Sequence, residues 1–319
     1  MLRSLTGHLW TVGGKLRHAL APHHAPPPRP WHAALEDPDV GPLRLTGSLH
    51  AVEDARAAVV IVHGLGGSPE SYYCLRAAGA VTRAGLSALR LALRGADRLG
   101  EDISHAGLTA DIHAALRSEA LARFERLYVL GYSLGGHTAL RLAAEELDPR
   151  VRAVAAVCAP LDLAAAQRHI DRAANAGYRR YLMSGLKDIY ARVAARRPMP
   201  IDPRHARRIL TFEEWDTRVV APRFGFADAQ DYYARVTAID ALDRLRVPTL
   251  FVGADHDPIV HAATVRPALA RPRPMLEVRW TERGGHVGFP ARVDLGMGPP
   301  RDLEEAVIEW LEEQGRESG

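Results

Sequence analysis

The sequence predicts an α/β fold built on a mostly parallel, doubly wound sheet with a helical cap insertion. Three observations carry that expectation. From Leu43 onward short apolar runs alternate with amphipathic stretches, which is the rhythm of repeated βαβ units. Some runs, VVIV at 59–62 and AVAAV at 153–157, are apolar without interruption, as a strand covered on both faces requires. The segment between Pro160 and Val247 has short helical signals and no strong strand pattern, and at about 85 residues it is too long for a structureless loop in a compact domain.

In chain order, the first expected strand is LRLTGSL at 43–49, followed by AAVVIVHG at 57–64. A helical pattern from Ser71 to Arg83 leads to a strand in SALRLALRG at 87–95. A second helix is expected over Leu108–Arg123, then the strand of LYVLGYS at 127–133, a helix over Leu134–Leu147 and the strand of VRAVAAVCAP at 151–160. After the insertion come PTLFVGAD at 248–255, an Arg-rich helix, MLEVRW at 275–280 and a closing helix over Arg301–Glu313. Residues 21–31 (APHHAPPPRPW) hold five prolines, whose fixed φ and missing amide donors suit an extended connection. The expected organisation is therefore an N-terminal segment and Pro-rich linker over 1–30, a first core part over 31–160, a helical cap over 161–246, and a second core part over 247–319.

Composition excludes several classes. Of 319 residues 47% are hydrophobic and 25% charged, a globular rather than a disordered balance. Forty-one Lys+Arg against 38 Asp+Glu give +3, and the basic residues are scattered among acids, so nucleic acid is not an expected partner. Cys74 and Cys158 are the only cysteines; they build no disulfide framework and suit a reducing, cytoplasmic compartment as small buried hydrophobes. Every apolar stretch is broken within about ten residues by Arg, His or Gly, so no membrane span and no secretory leader are expected. The adjacent His23 and His24 read as part of a solvated linker rather than as metal ligands.

The chemistry-bearing signal is Gly131-Tyr132-Ser133-Leu134-Gly135, a G-x-S-x-G turn with an apolar strand before it and a helix after it. Such a turn holds the serine at a strained φ/ψ and needs glycine on both sides, where a Cβ would strike the neighbouring strand or helix. It makes Ser133 the candidate nucleophile. The helix that starts beside it aims its N–H groups at the same point, which makes the Leu134 amide one candidate oxyanion donor. His63-Gly64-Leu65-Gly66-Gly67 follows the strand VVIV and makes the Leu65 amide the other; His63 is expected to orient that turn. A dinucleotide fingerprint fails because the third glycine position is Pro69, and no G-K-[ST] follows.

A serine nucleophile needs a base and an acid that orients it, both following the serine at the ends of later strands. After TLFVG comes Ala254-Asp255-His256-Asp257-Pro258-Ile259-Val260, and after MLEVRW comes Gly284-Gly285-His286-Val287-Gly288-Phe289. His286 is the candidate base. Asp257 is preferred over Asp255 as the acid because Asp257-Pro258-Ile259-Val260 fits a D-x-x-V turn and Pro258 fixes the backbone next to the carboxylate. Three consecutive residues at a strand end do not readily share one ion, so Asp255-His256-Asp257 is not expected to be a metal site. Neither a metal nor another cofactor is expected.

These segments, with His8-Leu9-Trp10-Thr11, HGLGGSPESYY, Arg94-Gly95, His105-x-Gly107-x-Thr109-x-Asp111, GYSLGG, CAP, GFADAQDYY, VPTLFVGADHDP and GGHVGF, resemble the YheT-like α/β-hydrolases over nearly the whole chain. The resemblance implies the α/β-hydrolase fold, with Ser133 as nucleophile, Asp257 as orienting acid and His286 as base of a serine esterase. It implies ester or lipid substrates of small-molecule size. Two other readings stand beside ester hydrolysis: acyl transfer by the same triad, and a noncatalytic binding protein that uses the pocket under the insertion.

Overall fold

The computed structural model describes residues 2–20 and 25–317. His23 and His24 lie outside the described residues. The described chain opens with helix α1 (Leu2–Leu20), then strands β1 (Arg29–Asp37), β2 (Gly41–His50) and β3 (Ala57–Val62). Helix α2 (Tyr72–Arg83), β4 (Ser87–Ala92), α3 (Ala110–Leu116), β5 (Arg126–Tyr132), α4 (Leu134–Leu142) and β6 (Val151–Val157) follow. Six helices without a strand come next: α5 (Leu163–Ile170), α6 (Ala176–Ala194), α7 (Pro203–Ala206), α8 (Phe212–Trp215), α9 (Ala221–Phe224) and α10 (Ala229–Val236). The chain closes with β7 (Thr249–Ala254), α11 (Ala262–Leu269), β8 (Leu276–Thr281) and α12 (Leu303–Glu317).

The eight strands form one sheet in the order β1-β2-β4-β3-β5-β6-β7-β8. β1 pairs with β2 and β2 with β4 antiparallel, and every later neighbour pair is parallel. Successive side chains of β3 alternate between two cores on opposite faces of the sheet. Val59 and Ile61 of β3 pack with Ala77 and Val81 of α2 and Val307 and Leu311 of α12. Val60 and Val62 turn to the opposite face, against Ile112 and Leu116 of α3 and Leu142 of α4. All four β3 side chains are fully buried, each stabilising the fold by roughly 1.5–3 kcal/mol. Because β3, β5, β7 and β8 run in parallel, the residues that follow them reach the same edge of the sheet, where open α/β sheets hold their ligands.

Four of the six helices in the strandless stretch begin at polar caps that satisfy free amides. Asp162 accepts from Ala165 N, Thr211 from Glu214 N and Asp228 from Asp231 N. Their apolar faces make a separate core that includes Met183, Tyr190, Phe212, Trp215 and Tyr232. A buried ionic cluster ties this layer to the sheet. Arg94, after β4, donates through its guanidinium and its own N–H to both oxygens of Asp111 and through Nη1 to Asp37 of β1 (2.6 Å). Next to it, Arg223 of α9 donates to Asp102 (2.9 Å). Removing one member of such a buried set costs on the order of 3–5 kcal/mol, because a charge is left uncompensated.

Three parts depart from the sequence reading. β1 begins at Arg29, within the stretch expected to be linker, and pairs with β2 from Arg29↔Leu49 to Asp37↔Gly41; Pro30 is tolerated because β1 is an edge strand. Residues 2–20 are a helix packed on the rest of the chain. The helix expected over Leu108–Arg123 stops at Leu116 and gives way to a 3-10 turn at Glu119–Leu121.

Candidate active site

Ser133 stands between β5 and α4 at φ 52°, ψ −122°, a left-handed conformation that a non-glycine residue rarely adopts. The turn is held by Ser133 N–H donating to Val157 O (2.8 Å) and by His137 N–H donating to Ser133 O (3.0 Å). A Cβ at Gly131 would come within 2.3 Å of Gly135 O, and one at Gly135 within 2.4 Å of His63 O. The two glycines let the turn close.

The structure brings the three sequence-predicted side chains into one line. Ser133 Oγ lies 2.9 Å from His286 Nε2, and His286 Nδ1 lies 2.9 Å from Asp257 Oδ2. The other oxygen of Asp257 accepts from Ile259 N (2.8 Å) and Val260 N (2.9 Å). The D-x-x-V turn thus grips the carboxylate through its own amides, and Asp257 is buried. Asp255 points away and pairs with Arg266 of α11.

Leu65 and Leu134 both line the cavity at Ser133. Among the described residues, no hydrogen bond engages the main-chain N–H of either, so both amides remain open to an oxygen. His63 holds the glycine turn: its Nδ1 donates to Gly64 O (2.8 Å) and its Nε2 accepts from Leu93 N (3.3 Å). Burial lowers its pKa to about 4, so the ring is neutral and both nitrogens are committed.

Cys158, Asp257 and His286 place one ligand-type atom each within 4.8 Å of the others. Burial, followed by the Asp257 charge, pushes the Cys158 thiol well above its usual range. The thiol therefore stays protonated and faces Gly285 O (3.7 Å). A protonated thiol and a histidine already bonded to Asp257 form a poor ion site, since metal ligation needs the thiolate and a free nitrogen.

The cavity at Ser133 measures about 110 Å³ and is walled by Leu163, Ile170, Leu182, Leu186, Phe212, Trp215 and Val220, with Tyr232 and Tyr233. Of the aromatic residues in the strandless stretch, Phe212, Trp215, Tyr232 and Tyr233 face this space. Phe224 and Phe226 instead pack on His105, at ring separations of 4.4 and 5.6 Å. Tyr181 is exposed. Asp216 is the acid of the cavity wall. Burial raises its carboxyl to about 7, opposed by the hydroxyl of Tyr233, which donates to it at 2.6 Å. Below pH 4 both folded and unfolded chains keep this proton; between pH 4 and 7 only the folded chain does, so its contribution to stability fades as pH rises. Asp216→Asn should therefore gain a few degrees in Tm relative to the parent between pH 5 and pH 8. Paired thermal melts at the two pH values check this, and an unchanged difference would mean the carboxyl ionises normally.

One contributor has no signal in the sequence beyond the HLWT of the resemblance. Thr11, on α1, accepts from His286 N–H (2.8 Å) and donates to Gly7 O (2.8 Å). The helix lies directly on the His286 loop: a Cβ at Gly285 would come within 2.1 Å of Gly7 O, and one at Gly288 within 2.1 Å of Trp10 O. Arg17 reinforces the contact by donating to Phe289 O (2.6 Å) and Asp302 (2.9 Å). His8 bonds and stacks on Tyr178 of α6 (2.7 Å). The signal in the sequence is HLWT, but the bond spans 275 residues, and local pattern does not reveal it.

A sheet of this order, a strained serine turn after β5 and a later Asp and His on the same edge define the α/β hydrolases as a class. A family model described as the alpha/beta hydrolase fold matches residues 57–291, and the chain belongs to that family. Within it the chain is YheT-like: it is 32% identical to YheT of Escherichia coli (strain K12), which carries an esterase name, over 88% of this chain and 84% of that one. It is also 24% identical to a monoacylglycerol lipase of Saccharomyces cerevisiae, over 74% of this chain and 56% of the lipase. Among solved structures, the esterase Pf2001 of Pyrococcus furiosus superposes with a TM-score of 0.55 at 14% identity, covering 91% of this chain and 90% of that one. That last likeness shows the fold alone.

Proposed function

We propose that the protein is a serine hydrolase of carboxylic esters that works through Ser133, His286 and Asp257. The observation that carries this reading is the unbroken line from Asp257 through His286 to Ser133 Oγ, with both links at 2.9 Å, opening into the apolar cavity. His286 Nε2 takes the hydroxyl proton as Oγ attacks the ester carbonyl. The Leu65 and Leu134 amides receive the oxyanion. His286 then protonates the departing alcohol, and water, activated by the same nitrogen, releases the acid. Asp257 keeps the Nδ1 proton in place and balances the imidazolium. No step calls for a cofactor. The esterase and lipase names of its relatives support the reaction class.

Residues 161–246 act in this reading as a cap that shapes the acyl site, since α5, α6, α8 and α10 supply half of the residues that line it. A wall of this composition favours short to medium acyl chains. A series of nitrophenyl esters from acetate to palmitate should give measurable turnover with kcat/KM highest from butanoate to octanoate. A folded protein with no turnover on any ester and no labelling by a fluorophosphonate would overturn the hydrolase in favour of a binding protein. Product analysis with added alcohols separates hydrolysis from acyl transfer.

Thr11 enters as a positioning residue, because it fixes the main chain of His286 without touching substrate. Thr11→Val leaves that N–H unpaired and should lower kcat about tenfold with KM little changed, while Thr11→Ser restores it. Equal kcat in Thr11→Val and the parent would free α1 of any part in turnover.

A further inference from the structure

Helix α1 packs on the protein with the face that normally looks outward. At 100° per residue, Gly7, Thr11, Gly14 and His18 share one arc, and this is the arc that meets the His286 loop and Tyr72. Leu9, Val12, Leu16 and Leu20 fall on the opposite arc and are 70%, 69%, 64% and 78% exposed. They are four of the eight large hydrophobic side chains exposed among the described residues. A contiguous aliphatic stripe of this kind marks an interaction surface.

We propose that this face of α1 docks the protein onto an anionic lipid bilayer, with the helix lying in the headgroup region. Charge selects the partner. Before Glu36 the chain holds Arg3, Lys15, Arg17 and Arg29 and no Asp or Glu; Arg17 is taken up by Asp302, and the remaining excess of basic residues beside an aliphatic stripe is the pairing that interfacial helices use. The same asymmetry disfavours a symmetric pair of these helices, since each copy would bring the same cations to the contact. The helix is not built to span: no helix of the described residues is long and apolar enough to cross a membrane. Its inner face touches the His286 loop, so docking would set the bilayer beside the site.

The test is co-sedimentation with vesicles, which needs no ester turnover and stays informative if the proposed reaction fails. Vesicles of phosphatidylglycerol and phosphatidylcholine at one to two are compared with phosphatidylcholine alone, using the parent and the quadruple variant Leu9→Gln, Val12→Gln, Leu16→Gln, Leu20→Gln. All four side chains face solvent, so the variant should keep the parent's melting curve. The parent should sediment with the anionic vesicles and bind at least tenfold less tightly to phosphatidylcholine or in 0.5 M salt; the quadruple variant should lose at least tenfold on the anionic vesicles. Absence of parent binding to anionic vesicles, or equal binding by parent and variant, overturns the proposal. A parent that is dimeric by light scattering, ignores vesicles and becomes monomeric in the variant would assign the face to a second copy of the chain.

Discussion

Ser133→Ala is expected to remove nearly all ester hydrolysis and to abolish labelling by a fluorophosphonate probe. Without Oγ no acyl-enzyme forms, and a residual acceleration of at most roughly 10³–10⁴ over water can persist from the oxyanion site and binding alone. The fold should survive. Among the described residues Ser133 Oγ bonds only to His286, and the main-chain bonds that hold the turn, Ser133 N to Val157 O and His137 N to Ser133 O, do not use the side chain. Alanine must still adopt φ near 52°, so a modest fall in Tm is expected. Wild-type turnover in the folded variant would remove Ser133 from the mechanism.

Asp257→Asn should be the next most damaging change, lowering kcat by roughly 10³–10⁴-fold at nearly unchanged shape. An amide that keeps its oxygen toward Ile259 N and Val260 N presents its NH2 to His286 Nδ1, which selects the wrong tautomer and withdraws the proton acceptor from Ser133. Asp255→Asn removes a partly exposed pair with Arg266 and should cost about tenfold or less. Turnover of both variants at saturating ester, with thermal melts as folding controls, tests the assignment. Greater loss in Asp255→Asn would move the acid to residue 255.

Those residues were readable because their signals are local. A serine between glycines after an apolar strand leaves few conformations, and the D-x-x-V turn reports its own carboxylate grip through two amides close in the chain. The parallel strands are legible for a related reason: burial on both faces leaves uninterrupted apolar runs. β1 escaped because Pro28 and Pro30 read as linker, and only its antiparallel partner β2 makes it a strand. The packing of α1 escaped for the opposite cause. Its inner residues are small, its aliphatic ones face solvent, and the Gly13-Gly14 pair interrupts any expected amphipathic helix. The bond from His286 to Thr11 and the Arg94 cluster join distant stretches of chain, which no periodicity encodes.

The close fit of α1 against the glycines of the His286 loop ties together positions that could otherwise diversify independently. While the helix stays in place, any side chain at 285 or 288 collides with its carbonyls, so drift at those positions is blocked whatever their distance from the chemistry. Lineages in which the helix has been lost or has moved away are released from that constraint and can accumulate larger residues there. Gly7, Thr11, Gly285 and Gly288 should therefore change as a set among homologues, and a chain that keeps the helix in this seat yet carries a bulky residue at 285 would have to displace the main chain around His286.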